Sequence, residues 1–187
     1  MKSNSILIMQ VLPTSGIASY VKNIILILFG SLLLAISSKV QVPFWPVPMT
    51  MQTFVVFLIG MTYGWKLSFF TLLAYIAEGA LGLPVFATGS GLAYLMGPTS
   101  GYIYGMLLAA TVIGLFAEKG FSNSYLMSLI SLLIGSIIIF SLGVGYLGLI
   151  IGYDKAINLG LSPFILSELF KIALAVALIP SLSKFIK

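Results

Sequence analysis

The chain has 187 residues, of which 60% are hydrophobic and only 7% are charged. Its charged residues are nine lysines and four acids, and it contains no Arg, His or Cys. Soluble domains carry roughly 25% charged residues, so the composition indicates an integral membrane protein and excludes a disordered chain, a nucleic-acid-binding protein and a disulfide-stapled secreted domain.

Apolar runs bounded by charges or by Gly and Pro predict six transmembrane helices, each of about 20 residues. They cover residues 24–38, 52–64, 67–83, 101–117, 124–152 and 163–183. The fifth run exceeds one crossing, and we expect it to tilt, bend or end in a non-helical turn at 143–148. Residues 1–21 are predicted to be a cytoplasmic or interfacial lead-in, and residues 22–187 a single transmembrane domain. The predicted fold class is therefore all-α.

The lysines predict the orientation of this bundle. With an even number of crossings and the N-terminus inside, six lysines lie on the inner side, namely Lys2, Lys22, Lys66, Lys119, Lys184 and Lys187. Only Lys39 and Lys155 then lie outside. This excess of inner lysines fits the positive-inside rule and predicts a multi-pass protein of the cytoplasmic membrane with both termini in the cytoplasm.

Two segments between the predicted helices differ from ordinary loops. Residues 40–50 are apolar but contain three prolines, which exclude a helix. Extended backbone at membrane depth must be buried in protein or line a cavity, and the alternative is a turn at the interface anchored by Trp45. Residues 82–102 are rich in Gly and form either a ligand-gripping outer loop or two surface turns.

Small residues recur at four-residue spacing, which allows helices to approach closely in lipid. Gly101, Gly105 and Ala109 form one such stripe, and Ser31 and Ala35 form another. Each stripe serves either packing within the bundle or docking of another membrane subunit.

Ionisable residues within a predicted crossing are the most informative signal. Glu168 and Lys171 are three residues apart and therefore lie on one face of the last helix. Charges at membrane depth usually face a partner or a cavity. The pair is either a self-satisfied ion pair or the lining of a pocket for a polar ligand. Glu78 is a further candidate, or alternatively an acid at a helix end.

The sequence offers little for catalysis. Without His or Cys it lacks the usual zinc, haem and thiol chemistry, and it has no phosphate-binding glycine loop. We therefore predict no enzyme, no cofactor and no metal site.

Three blocks of sequence, in order, resemble the BioY family, the biotin-binding S components of energy-coupling factor (ECF) transporters. The first block is PFWPVPMTMQ at 43–52. The middle block is YIAEGALGLPVF at 75–86 with GPTSGY at 97–102. The last is PFILSELFKIALA at 163–175, which ends in an acid, two residues and a lysine.

The resemblance implies a bundle of six transmembrane helices with an outward-facing biotin site capped by loops. It also implies partners, a transmembrane T component and ATP-hydrolysing subunits, and a docking face on the first helix, which Ser31 and Ala35 match most nearly. The chain has Glu168 where the family usually has Asp, and Thr88 where members often have Asn. Both departures bear on affinity more than on ligand class.

The expected site is mostly apolar with a few placed polar groups, as small-molecule pockets usually are. The predicted substrate-binding residues are Glu168, Lys171, Tyr94, Phe86, Thr88, Tyr102 and Gln52. The predicted function is biotin uptake across the membrane. The alternatives are an S component for another small vitamin, a membrane-embedded enzyme that uses Glu78 or Glu168, and an assembly subunit without a ligand.

Overall fold

The structure, a computed structural model, describes residues 7–8 and 17–186, the side chains of residues 185 and 186 excepted. The helices in chain order are α1 Ile17–Lys39, α2 Gln52–Ala80, α3 Ser100–Glu118, α4 Tyr125–Ile151, α5 Tyr153–Gly160 and α6 Phe164–Ile186. The strands β1 Gln41–Val42 and β2 Met49–Thr50 pair as an antiparallel hairpin. All of these helices except α5 are long and apolar enough to cross a membrane, so this is a multi-pass membrane protein.

Helix α2 is folded back on itself at Gly64, whose φ of 76° and ψ of 172° are not helical. The Gln52 side chain donates a hydrogen bond to the Tyr75 hydroxyl at 2.7 Å, although a straight helix would separate these residues by about 35 Å. The arms 52–63 and 65–80 are therefore antiparallel neighbours. The second and third predicted runs, 52–64 and 67–83, thus form one helix folded at a single glycine, and five helices of the described chain are long and apolar enough to cross a membrane.

Glycine serves here because it adopts a positive φ without the steric penalty of a Cβ atom. The connection is also tightly packed. A Cβ on Gly114 of α3 would lie 2.5 Å from the backbone nitrogen of Trp65. Helix α3 thus crosses directly against the turn, and its last residue, Glu118, accepts a hydrogen bond from that Trp65 N–H at 3.3 Å. The turn is thereby held at one end of the bundle.

The stripe of small residues on α3 packs within the bundle. A Cβ on Gly101 would lie 2.5 Å from the Leu142 carbonyl oxygen, and one on Gly105 would lie 2.9 Å from the Ile139 Cα. Both contacts are with α4, and Ala109 is fully buried. This stripe is the contact surface between α3 and α4.

Of the three alternatives for the fifth run, the non-helical turn at residues 143–148 is wrong, because α4 remains helical to Ile151 and ends at Gly152, whose φ is 87°. Gly143 and Gly148 make room for aromatic rings instead. A Cβ on Gly143 would lie 2.3 Å from the Tyr102 ring. The short helix α5 that follows was not predicted.

The bundle has two distinct ends. We call the end that carries the β1–β2 hairpin, the loop 81–99 and α5 the hairpin end, and the end with the Gly64 turn the opposite end. At the N-terminus, α1 begins at Ile17, before the predicted boundary at residue 22, and Leu7 is buried in the core. The rest of the predicted lead-in, residues 1–6 and 9–16, lies outside the described residues.

Candidate functional site

A cavity opens at the hairpin end, between the β1–β2 hairpin, the loop 81–99 and the helices α2, α3, α4 and α6. It contains about 550 Å³ of space free of protein atoms, its mouth included. Its walls are mainly aromatic and aliphatic, with polar groups concentrated on α2 and α6. The lining residues are Val47, Pro48, Thr50, Gln52, Thr53, Tyr75, Phe86, Ala87, Tyr94, Thr99, Tyr102, Ile103, Met106, Ile139, Phe140, Phe164, Glu168 and Lys171.

The Pro-rich segment combines the two roles that its sequence left open. Val47 is buried and lines the cavity together with Pro48. Trp45, in contrast, is 76% exposed and points away from the protein core. The segment is therefore a cavity wall on one face and carries an exposed aromatic side chain on the other.

The loop 81–99 closes the cavity with stacked aromatic rings. Phe86 is 1% exposed, and its ring stacks on Tyr94 with centroids 4.9 Å apart. The Phe86 ring also meets the Tyr75 ring in a T-shaped contact, with centroids 5.4 Å apart. A Cβ on Gly79 would lie 2.1 Å from the Phe86 ring, so the absence of a side chain at residue 79 makes this position possible. The loop is a cavity wall rather than a pair of surface turns.

The charged side chains of α6 form a buried cluster on the cavity wall. Lys171 Nζ lies 3.1 Å from Glu168 Oε2 and donates to the Thr53 hydroxyl at 2.9 Å. That hydroxyl in turn donates to Glu168 Oε2 at 2.8 Å. Ser136 of α4 donates to the other carboxylate oxygen at 3.3 Å. Glu168 and Lys171 are only 4% and 5% exposed, so the pair depends on these partners for its charge compensation.

Counting donors and acceptors shows that this cluster retains capacity for a ligand. A lysine ammonium has three N–H donors, and two of those on Lys171 are used by Glu168 and Thr53. A carboxylate offers about four acceptor sites, of which three on Glu168 are occupied. One strong donor on Lys171 and one strong acceptor on Glu168 are therefore left, and both residues line the cavity.

A second polar chain supports the wall that the loop 81–99 forms. The Gln52 amide donates to the Tyr75 hydroxyl at 2.7 Å, and this hydroxyl donates to the Val85 carbonyl at 3.0 Å. The first link joins the two arms of α2, and the second runs from α2 to the loop that carries Phe86. Gln52 thus lines the cavity and also holds Tyr75 in place.

Six of the predicted binding residues line the cavity, which are Glu168, Lys171, Tyr94, Phe86, Tyr102 and Gln52. Thr88 does not line it. Its side chain is exposed, and its hydroxyl donates to the Tyr94 hydroxyl at 3.3 Å. Sequence reasoning missed Thr53, Tyr75 and Ser136. Thr53 directly follows the first BioY-like block, 43–52, and Tyr75 is the first residue of the middle block, 75–86. Ser136 has no distinguishing signal within an apolar helix.

The structure places the two residues of the predicted docking face on the side of α1 that packs against the bundle. Ser31 is 2% exposed, and its hydroxyl donates to the Leu28 carbonyl or to Glu78 Oε1, 3.0 and 2.9 Å away. Ala35 is half-buried and packs against the core. Ser31 therefore serves contact between α1 and α2, and neither residue offers an open surface.

Glu78 is half-buried and lies outside the cavity lining, where it accepts the hydrogen bond from Ser31. Across residues 7–8 and 17–186, no group of acids suited to holding a metal ion occurs.

These features define a class of protein: a polytopic helical membrane protein that encloses a small, largely apolar site with one charged corner at one end of its bundle. Comparison with known proteins then gives the family. The model of the BioY family matches residues 6–187, and the chain belongs to this family.

Two relatives and one solved structure illustrate the similarity. The "Probable biotin transporter BioY" of Pyrococcus horikoshii is 39% identical over 83% of this chain and 92% of its own length. The "Biotin transporter BioY" of Thermotoga maritima is 40% identical over 81% of this chain and 90% of its own. A crystal structure of the S-component for biotin from an ECF-type ABC transporter superposes with a TM-score of 0.80 at 25% identity, covering 91% of this chain and 95% of that one.

Proposed function

We propose that this chain is the biotin-binding S component of an ECF-type transporter and takes up biotin through the cytoplasmic membrane. The observation that carries the proposal is the cavity in which a buried Glu168–Lys171 pair meets aromatic walls. Membership of the BioY family and the likeness to a biotin S component support it. The chain is a transporter component and not an enzyme, with a T component and ATPase subunits as its partners.

The chemistry of biotin fits the cavity. Its ureido group has two N–H donors and a carbonyl acceptor, its bicyclic ring is apolar, and its valerate ends in a carboxylate. The remaining acceptor of Glu168 suits an N–H group, and the remaining donor of Lys171 suits a carbonyl or carboxylate oxygen. Phe86, Tyr94 and Tyr102 supply apolar walls for the ring system. Such a combination is typical of pockets for small molecules.

The arrangement of lysines supports an orientation with both termini in the cytoplasm. Lys39 and Lys155 lie at the hairpin end, at the end of α1 and in α5. At the opposite end of the bundle, the lysines among the described residues are Lys22, Lys66, Lys119 and Lys184. By the positive-inside rule the opposite end faces the cytoplasm. The cavity then opens outward, where an uptake protein must collect its ligand.

Calorimetric titration of the purified full chain with biotin tests this function. We expect saturable binding of one biotin per chain, which excess thiamine or riboflavin does not displace. Biotin methyl ester serves as a matched probe, because only its carboxylate is altered. Absence of binding at micromolar biotin would refute the proposal, and tight binding of thiamine or riboflavin in its place would favour an S component for another vitamin.

A further inference from the structure

Three consecutive carbonyls of the loop, those of residues 85–87, accept hydrogen bonds from side chains at the junction of α1 and β1. Lys39 Nζ donates to the central carbonyl, that of Phe86, at 2.5 Å. Ser38 Oγ and Gln41 Nε2 donate to the flanking carbonyls at 2.8 and 3.2 Å. We call the three donor side chains and these three carbonyls the clasp.

The clasp fixes the part of the loop that closes the cavity. The Phe86 carbonyl accepts the hydrogen bond from Lys39, and the Phe86 ring is buried against Tyr75 and Tyr94. Three adjacent backbone groups held in this way leave the segment little freedom to rotate. The position of the Phe86 ring therefore depends on groups that belong to another element of the fold.

Among the three donors, Lys39 contributes most to the clasp. Its hydrogen bond is charge-assisted, and such bonds are roughly twice as strong as neutral ones. Ser38 has a single hydroxyl proton, which it shares between the loop and the Ala35 carbonyl at 2.7 Å. Lys39 is also one of only two lysines at the hairpin end within the described chain. The general placement of lysines at the opposite end therefore does not explain why a lysine stands at residue 39.

We propose that Lys39 is a positioning residue that prolongs the bound state of the ligand by holding residues 85–87 over the cavity. Lys39 does not line the cavity, so it acts through Phe86 rather than by touching the ligand. This inference rests on the proposed binding of biotin. It adds a residue outside the cavity that controls how fast the ligand leaves.

The test compares Lys39→Met, which keeps the aliphatic stem, with Lys39→Arg, which keeps charged donors. Lys155→Met is the matched control, because it removes the other lysine at the hairpin end. Release of radiolabelled biotin from purified protein is followed after a chase with unlabelled biotin. We expect Lys39→Met to release biotin about tenfold faster, as for the loss of one charge-assisted hydrogen bond, with Lys39→Arg and Lys155→Met close to the parent protein. An unchanged release rate in Lys39→Met, or equal acceleration in Lys155→Met, would overturn the proposal.

A second measurement needs no ligand and separates failure of this inference from failure of the proposed function. In hydrogen exchange on the ligand-free protein, amides of residues 83–91 should exchange faster in Lys39→Met than in the parent or in Lys155→Met. If the parent binds no biotin, the proposed function fails, while faster exchange still supports the clasp. If biotin binds but the exchange rates are equal, the clasp is refuted. Gln41→Met provides a milder variant should Lys39→Met not fold, and it should accelerate both release and exchange.

Discussion

Removing the charges of the Glu168–Lys171 pair singly and together should separate stability from binding. Each side chain is almost fully buried, and each is the other's only ionic partner in the described chain. Breaking a buried ion pair on one side typically costs about 3–5 kcal/mol, because the remaining charge is left uncompensated. We expect Lys171→Met and Glu168→Gln each to lower the thermal unfolding midpoint strongly.

The double variant Glu168→Gln/Lys171→Met should recover most of that stability, since replacing both members of a buried pair is often neutral or stabilising. Binding should not recover. Each charged group offers the ligand one hydrogen bond, and a hydrogen bond to a charged group contributes about 1.5–3 kcal/mol. The double variant loses both bonds and should therefore bind biotin at least about a hundredfold more weakly than the parent.

Thermal unfolding in nanodiscs followed by tryptophan fluorescence gives the stabilities, and calorimetry with biotin gives the affinities. Lys155→Met controls for the general loss of a lysine. A double variant that binds biotin as tightly as the parent would refute the assignment of the pair to the site. A double variant that is no more stable than the less stable of the two single variants would refute the argument from uncompensated charge.

Two further predictions concern the loop that closes the cavity. Gly79→Ala should weaken biotin binding by about tenfold or more, because its Cβ would displace the Phe86 ring. Gly145→Ala is the control and should leave the affinity unchanged, because a Cβ there meets no atom within 4 Å. Equal affinities of the two variants in a biotin titration would contradict the prediction. Thr88→Val should change affinity by no more than about threefold, since Thr88 is exposed and its hydroxyl bonds to Tyr94 outside the cavity lining. Tyr94→Ala should have a large effect, because it removes the ring that stacks on Phe86. A loss from Thr88→Val as large as that from Tyr94→Ala would show that Thr88 contacts the ligand directly.

The sequence predicts the helical segments well, because charges, prolines and glycines delimit apolar runs of a length set by the bilayer. It does not reveal what a glycine does. Gly64 and Gly143 both lie within apolar stretches, yet one makes a reversal with positive φ and the other remains helical to admit the Tyr102 ring. The two glycines differ in which neighbours they pack against, and these neighbours come from distant parts of the chain. The alternative of a turn at 143–148 is wrong because the sequence does not show those neighbours.

The site is predictable where chemistry at membrane depth is unusual. Glu168 and Lys171 stand out because charges are rare and costly in a transmembrane helix. Thr53 and Ser136 complete the same cluster. Thr53 directly follows the first sequence block, but Ser136 carries no signal, since hydroxyl residues in such helices often bond to their own backbone. The four-residue spacing of Ser31 and Ala35 leaves packing and docking both open in the sequence, and in the structure the Ser31 hydroxyl lies beside Glu78.

The short first arm of α2 links the site to the thickness of the bilayer. Twelve residues of helix, 52–63, span about 18 Å, whereas the hydrocarbon core is about 30 Å thick. The β1–β2 hairpin precedes this arm and continues the chain as strand and proline instead of helix. Hydrophobic mismatch costs fractions of a kcal/mol per Å, and Val47 and Pro48 of the hairpin are also cavity walls. We therefore expect ligand affinity in this protein to depend on lipid chain length, independent of any change in its sequence.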